Sequence, residues 1–502
     1  MEEKLEARYD VILIGAGIAG LVSGNFLCKK GYKILICEQS RSPGGYLSGF
    51  KRKGFYFDAG IQSFASSGVV FPILEKLKLR SKIQFVKVDF RLVGSKFDVK
   101  VDSIQSVACA IKNAIPGNEK GIQSYFEEIF QVIEKIKRHE DIENLKQYYS
   151  NISAEELARK HFKNDRLIKY LSQIGYRGVS ALTAIWMWFS FLYDYWYPVG
   201  GMQNFANILG KNIENQGGFI SYNTDVDEII VSGGQAMGII TSGGKRINSN
   251  YVVSCCDLKQ TFGELIKKNQ IDTSRKRQIR SAKVSESFVT VYLGVDIDQD
   301  TMRSYMNAHH IFYIPDYDLI DLDNLDDLDL YKRSYIEITA PSVVNSSFAP
   351  EGESTIILQA LANYDWMDTW GSSHSGGDKI HYLYLKEKVG DELISTAENV
   401  IPGLSDKIVV REIATPLTHE RYTKNTKGAT AGWSWNVKEK QIFALGESGL
   451  VTPIKNLYAA SQWVTPCGGG IPTCFSAGKA VFELLHNKIR YSDKNGKLLE
   501  KK

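Results

Sequence analysis

The chain predicts an α/β fold, a buried parallel sheet flanked by helices and interleaved along the sequence with a second, α+β domain. Two observations carry this. Residues 9–14 form an apolar run that meets Gly15-Ala16-Gly17-Ile18-Ala19-Gly20 and then a helical stretch, and residues 33–37 form a second apolar run ending on Glu38. Farther along, strand-period and helix-period segments follow one another without an internal repeat, and 502 residues exceed one ordinary core.

The first unit is read residue by residue. Gly15 lets the first strand turn tightly, Gly17 lets the backbone approach a pyrophosphate, and Gly20 lets the helix pack against the strand. The N–H groups and positive dipole end of that helix, with Ala16, Ile18 and Ala19 between the glycines, face the phosphates. The helix over residues 21–30 stops at Gly31. Glu38 then falls near the spacing of about 20 residues expected of the acid that holds ribose hydroxyls. A carboxylate there would repel a 2′-phosphate, which disfavours NADP. These features define a Rossmann-like dinucleotide site, with Gln39 beside the acid.

A second glycine pair follows soon after, in Pro43-Gly44-Gly45-Tyr46, and suggests another close backbone approach. Gly54-Phe55-Tyr56-Phe57-Asp58-Ala59-Gly60 comes next, an aromatic cluster closed by a tight turn before Ile61. Strand-GxGxxG-helix-strand-Glu, then Pro-Gly-Gly, then Gly-Phe-x-Phe-Asp-x-Gly resembles the amine-oxidase-type FAD proteins. Within them the chain is most similar to the phytoene desaturase, carotenoid isomerase and retinol saturase group. Tyr46 stands where that family usually has Arg or Ser.

Two distant segments extend the resemblance. Tyr197-Pro198-Val199-Gly200-Gly201 leads into a helical pattern and then a strand containing Val226, which by the resemblance pairs with adenine through its backbone. Residues 456–462 resemble the family's last strand, with Ser461-Gln462 in place of the usual Gly-Asp. Gly468-Gly469-Gly470-Ile471-Pro472 resembles the turn that faces the flavin, where N–H groups and a helix dipole meet negative charge on reduced flavin. The resemblance implies FAD, held by Gly15 to Gly20, Glu38, Gln39, Gly44, Gly45, Tyr46, Gly60, Ile61, Val226, Ser461, Gln462 and Gly469 to Ile471. It also implies a discontinuous FAD-binding domain of residues 1–80, 203–258 and 446–486. Residues 81–202 and 259–445 then make the substrate domain and 487–502 the C-terminal tail, charged and frayed from Ser492.

Within the substrate domain, residues 83–100 alternate like strands. Residues 121–192 are helical, with Phe126, Ile129, Val132 and Ile133 on one face. Residues 287–295, 335–339 and 354–360 read as further strands, and the acidic stretch 316–329 as a surface loop. Residues 185–193, Ile-Trp-Met-Trp-Phe-Ser-Phe-Leu-Tyr, are too short to span a bilayer. They read as plain core, as an aromatic wall for a lipophilic substrate, or as a patch touching a membrane.

A net charge of +4 is small for this length and, with no nucleic-acid motif, argues against nucleic acid as a partner. Seven cysteines, an odd number without a C-x-x-C pair, and a charged rather than apolar start point to a reducing, cytoplasmic setting. Six cysteines are expected to pack as small hydrophobes, with Cys467 apart in the glycine-rich turn. His309-His310 lacks a second ligand pair, so no metal is expected. His374, His381 and His419 read as single surface or capping residues, and Arg421 as part of a local salt bridge with Glu420 or a neighbour in preference to an anchor for a substrate head group. No acid or base is singled out.

Three functions fit these residues. The leading one is an FAD oxidoreductase acting on a carbon–carbon bond of a long lipophilic molecule such as a carotenoid, isoprenoid or retinoid, by desaturation, saturation or cis–trans isomerisation. The second is an amine-oxidase-type enzyme working on a C–N bond, for which no lysine–water pair can be placed. The third is a non-catalytic prenyl-lipid binder of the same fold, which the retained glycines and Glu38 argue against.

Overall fold

The computed structural model describes residues 5–172, 175–267, 271–314, 328–372, 379–439, 449–465 and 469–499. Most of the acidic stretch and all of Cys467, Gly468 and His374 lie outside them. The first sheet runs in the spatial order Phe219–Ser221, Ile34–Cys37, Arg8–Ile14, Arg246–Ser254, Gln235–Thr241, Val226–Ser232, with Leu457–Ala459 also paired to Arg246–Ser254. Its centre is parallel, Val11 facing Ile34 on one side and Tyr251 on the other. Val11, Ile12 and Leu13 are all fully buried, as a strand covered on both faces requires.

The helices that cover this sheet are fixed by polar contacts as well as apolar ones. The helix Ile18–Lys29 packs on the last helix, Ile471–Leu499, where the Ser23 hydroxyl donates to the Gly478 carbonyl at 3.1 Å. It also meets the helix Met202–Asn215, whose Leu209 carbonyl accepts from Asn25 Nδ2 at 2.9 Å. The last helix continues to Leu499, so helix occupies most of the segment read as frayed from Ser492.

The second sheet has the order Ile408–Ala414, Ser287–Val295, Ser354–Ala362, Ile336–Thr339, His310–Tyr313, Phe90–Gly94, Phe97–Lys100. Alternation assigns its two faces. Val289, Val291, Leu293, Ile336, Ile338, Ile356 and Leu358 pack with Leu385, Val389 and Leu393 of the helix Lys379–Ala397. The opposite face carries Leu92, Phe312, Glu337, Gln359 and Thr290, which the strand registers place in one row. Helices between residues 104 and 193 close over that face, the longest, Glu119–Lys137, burying Phe126, Ile129, Val132 and Ile133 as its period predicts.

A small sheet of Phe64–Ala65, Tyr195–Pro198 and Phe85–Lys87 joins the two halves. Beside it Asp58 is fully buried and accepts from Tyr56 Oη at 2.7 Å, Tyr197 Oη at 2.6 Å and the Met202 N–H at 2.8 Å. Burial raises the Asp58 pKa against these donors, which favour the ionised form. One carboxylate thus pins the aromatic hairpin to the start of the helix Met202–Asn215.

Candidate active site

The three glycines of the first turn are needed for three different reasons. Gly15 has φ +101°, a left-handed conformation that L side chains rarely adopt. A Cβ on Gly20 would collide with the Gly15 carbonyl oxygen, so this glycine permits the strand–helix contact. A Cβ on Gly17 would meet no atom within 4 Å. Open space therefore lies directly over Gly17, at the helix end where the first turn's N–H groups lack intrahelical partners.

Glu38 closes this turn from below. Its Oε2 accepts from the Ala16 N–H at 2.7 Å and its Oε1 from the Ser40 N–H at 2.8 Å. Each oxygen keeps lone-pair capacity for a hydroxyl. The Gly44 N–H donates to the Ala16 carbonyl at 2.9 Å, and Gly45 lies over Gly17. The Thr224 N–H donates to the Glu38 carbonyl at 2.8 Å, which brings Val226 near the acid; the Val226 N–H itself donates to Asp225 Oδ1. Gln39 reaches the Tyr422 carbonyl at 3.1 Å. The Ser461 hydroxyl donates to the Cys256 carbonyl at 3.1 Å, and Cys256 lies against Gly15. These residues, far apart in sequence, meet at one end of the first sheet.

The remaining expected site residues gather at a second place. Tyr46, Gly60, Ile61, Gly469, Gly470 and Ile471 line a cavity of about 1120 Å³. The Ile61 N–H donates to the Tyr46 carbonyl at 3.1 Å, and Tyr46 Oη donates to the Gly428 and Ala429 carbonyls at 3.0 and 3.1 Å. Gln462 also donates to the Ala429 carbonyl, at 3.4 Å, so it lies behind the cavity wall. Tyr46 thus takes a wall-building part where the family usually has Arg or Ser. An open cradle at the helix end, a ribose-type acid beneath it and a cavity reached by the C-terminal glycine turn fit an extended flavin dinucleotide.

From that end the cavity extends between the second sheet and the helices over it. The helix Ala181–Tyr193 contributes Trp186, Met187, Trp188 and Phe191, so the apolar run at 185–193 is a cavity wall. The sheet contributes Leu92, Phe312, Glu337 and Gln359. Gln359 Nε2 donates to the Gly60 carbonyl at 3.1 Å, linking this sheet to the expected cofactor end.

Three expectations need correction. His419 is neither a surface nor a capping residue: it is buried on the cavity wall, its ring 6.0 Å from that of Tyr46, and its Nε2 has no partner among the described residues. Burial pushes its pKa down to about 4. Arg421 lies over the Tyr422 ring, while Glu420 accepts from Tyr364 and from the Lys427 N–H. Cys109 is exposed, whereas burial pushes the Cys256 and Cys474 thiols up to about 12, leaving them poor nucleophiles. Neither Glu337 nor Gln359 figures among the sequence expectations. Only the alternation Ile336-Glu337-Ile338, a charge opposite two core residues, could have drawn attention to Glu337.

This fold and site define a flavoprotein oxidoreductase with an attached apolar cavity. A family model described as flavin containing amine oxidoreductase matches residues 18–290, more than half of the chain. The chain belongs to that family. It is 27% identical to a chloroplastic prolycopene isomerase of Daucus carota, covering 93% of this chain and 78% of the relative. It is 23% identical to an all-trans-retinol 13,14-reductase of Danio rerio, covering 94% and 86%. It is also 23% identical to a 4,4'-diapophytoene desaturase of Methylomonas sp, covering 96% of each. Among solved structures, an oxidoreductase from Methanosarcina mazei superposes with a TM-score of 0.66 at 14% identity, over 94% of this chain and 100% of that one. That likeness concerns the fold.

Proposed function

We propose that the chain is an FAD-dependent oxidoreductase that desaturates, saturates or isomerises carbon–carbon double bonds of a long lipophilic polyene of the carotenoid or retinoid type. The observation that carries this is the single cavity running from Gly60, Ile61 and Gly469 to Ile471, past Tyr46, along Trp186, Met187, Trp188 and Phe191. Its volume suits a long apolar molecule more than a small amine. The relatives in carrot, zebrafish and Methylomonas support the same reading, since their names describe an isomerase, a reductase and a desaturase of polyenes.

In this reading Gly15 to Gly20 and Gly44-Gly45 hold the diphosphate, Glu38 the ribose, Val226 the adenine, and Ser461 the adjoining chain. Tyr46, Gly60, Ile61 and Gly469 to Ile471 border the flavin. Bound FAD supplies the two-electron chemistry. The protein aligns the polyene with its aromatic wall and excludes water through the covering helices. The exposed Tyr193 at the end of the same helix suits peripheral contact with a membrane that stores the substrate.

The test is chemical extraction of the purified protein. Mass spectrometry is expected to find FAD rather than FMN, together with a polyene or isoprenoid lipid. Colourless protein that cannot be reconstituted with FAD would refute the proposal.

A further inference from the structure

Glu337 is the one ionisable side chain in the row Leu92, Phe312, Glu337, Gln359, Thr290 that the second sheet turns toward the cavity. Its strand neighbours Ile336 and Ile338 are fully buried on the opposite face, so the register fixes the direction of the carboxylate. The side chain is 22% exposed, and Glu337 lines the cavity. Next to it in the row, Gln359 holds the Gly60 carbonyl, which places Glu337 one strand from the expected flavin border. Among the described residues the cavity's other carboxylate, Glu155, is engaged by Arg159.

Behind Glu337 stands His310, 3% exposed, whose Nδ1 is hydrogen-bonded to Glu337 Oε1. The imidazole is enclosed by the rings of Phe90 and Tyr195, at 5.2 and 6.1 Å. A carboxylate half-buried against a buried imidazole, and open on its other side to a largely apolar cavity, is not needed to fill that space, since an apolar pair would do so. It has the form of a proton-exchanging unit.

We infer that Glu337 is the catalytic acid–base of this cavity, exchanging a proton with a substrate carbon, and that His310 is its positioning residue and proton source. The inference rests on the reading of the cavity as the seat of carbon–carbon double-bond chemistry. In the saturating direction, Glu337 gives its proton to one carbon of the C=C bond, while bound reduced flavin would supply the hydride to the other. The π bond and the Glu337 O–H bond break as two C–H bonds form. Bound flavin would be left oxidised, and the proton that Glu337 gives up would be returned through its hydrogen bond to His310 Nδ1. Desaturation is the reverse.

Two measurements on the flavin-loaded protein test this. The first is binding, read from tryptophan fluorescence, of oleylamine against oleyl alcohol. The wild type is expected to prefer the amine about tenfold or more, the range of a charge-assisted hydrogen bond, and Glu337→Gln to lose that preference while binding the alcohol as before. No amine preference, or one unaffected by Glu337→Gln, overturns the inference whatever the activity. The second is anaerobic turnover of all-trans-retinol by the reduced protein in D2O. Glu337→Gln is expected to lower the rate about 10²–10⁴-fold with retinol affinity unchanged, Glu337→Asp to recover part of it, and the wild-type product to carry solvent deuterium at the carbon that Glu337 protonates. His310→Asn, which keeps a donor to Glu337 but relays no proton, is expected to bind retinol normally and turn it over slowly. Unchanged turnover in Glu337→Gln overturns the inference alone. A wild type that leaves polyenes untouched instead overturns the functional reading, and the amine measurement still decides whether the carboxylate serves the cavity.

Discussion

Glu38 Oε2 accepts a hydrogen bond from the Ala16 N–H at 2.7 Å, joining the end of the second strand to the glycine turn 22 residues earlier. The acid expected to hold a ribose therefore also shapes the glycine turn proposed to hold the diphosphate. Glu38→Ala removes both functions and strands the buried Ala16 N–H. FAD affinity is expected to fall by about 1.5–3 kcal/mol, the value of hydrogen bonds to a charged group. Titration of apoprotein with FAD measures this, and unchanged affinity would separate Glu38 from the cofactor.

Gly17 and Gly20 belong to one motif but answer to different neighbours. Gly17→Val projects into open space, so the protein is expected to contain no flavin and to melt at the temperature of the wild-type apoprotein. Gly20→Ala meets the Gly15 carbonyl and is expected to destabilise the fold by about 1–3 kcal/mol. Thermal unfolding and flavin content, measured on both variants, check the contrast.

His419 makes stability pH-dependent. Its folded pKa of about 4 lies below the value of about 6.5 expected unfolded. As pH falls, the unfolded chain binds the proton first, so stability complete above about 6.5 is lost progressively toward about 4, on the order of 3 kcal/mol in all. His419→Leu is expected to flatten that part of the profile in thermal unfolding between pH 7 and 4. Parallel profiles would show that another group titrates.

Leu182 lines the cavity on the same helix as Trp186. Leu182→Trp is expected to leave flavin content intact while raising the KM for a long polyene about tenfold or more, since overpacking costs about 1–3 kcal/mol. Steady-state kinetics with short and long polyenes checks it, the short ones being less affected.

Local signals were legible where chemistry is local. The strand–turn–helix–strand around Gly15 to Glu38 needs particular residues at particular steps, and the alternation at 287–295 and 354–360 survives as two central strands of the second sheet. What the sequence did not disclose is partnership across distance. Ser461 meets the Cys256 carbonyl, His310 meets Glu337, and Tyr46 meets residues 428 and 429, pairings set by how two sheets and the helices over them close on each other. His419 was misread for the same reason, because a short polar segment is buried here by elements from elsewhere in the chain.

The most direct test of the central claim is anaerobic spectroscopy of the flavin-loaded protein, in both redox states, against a conjugated polyene and an amine panel. The account predicts a change in the polyene's absorption that requires the bound flavin, with no bleaching of oxidised flavin by amines. Rapid bleaching by an amine, with polyenes untouched, would contradict it.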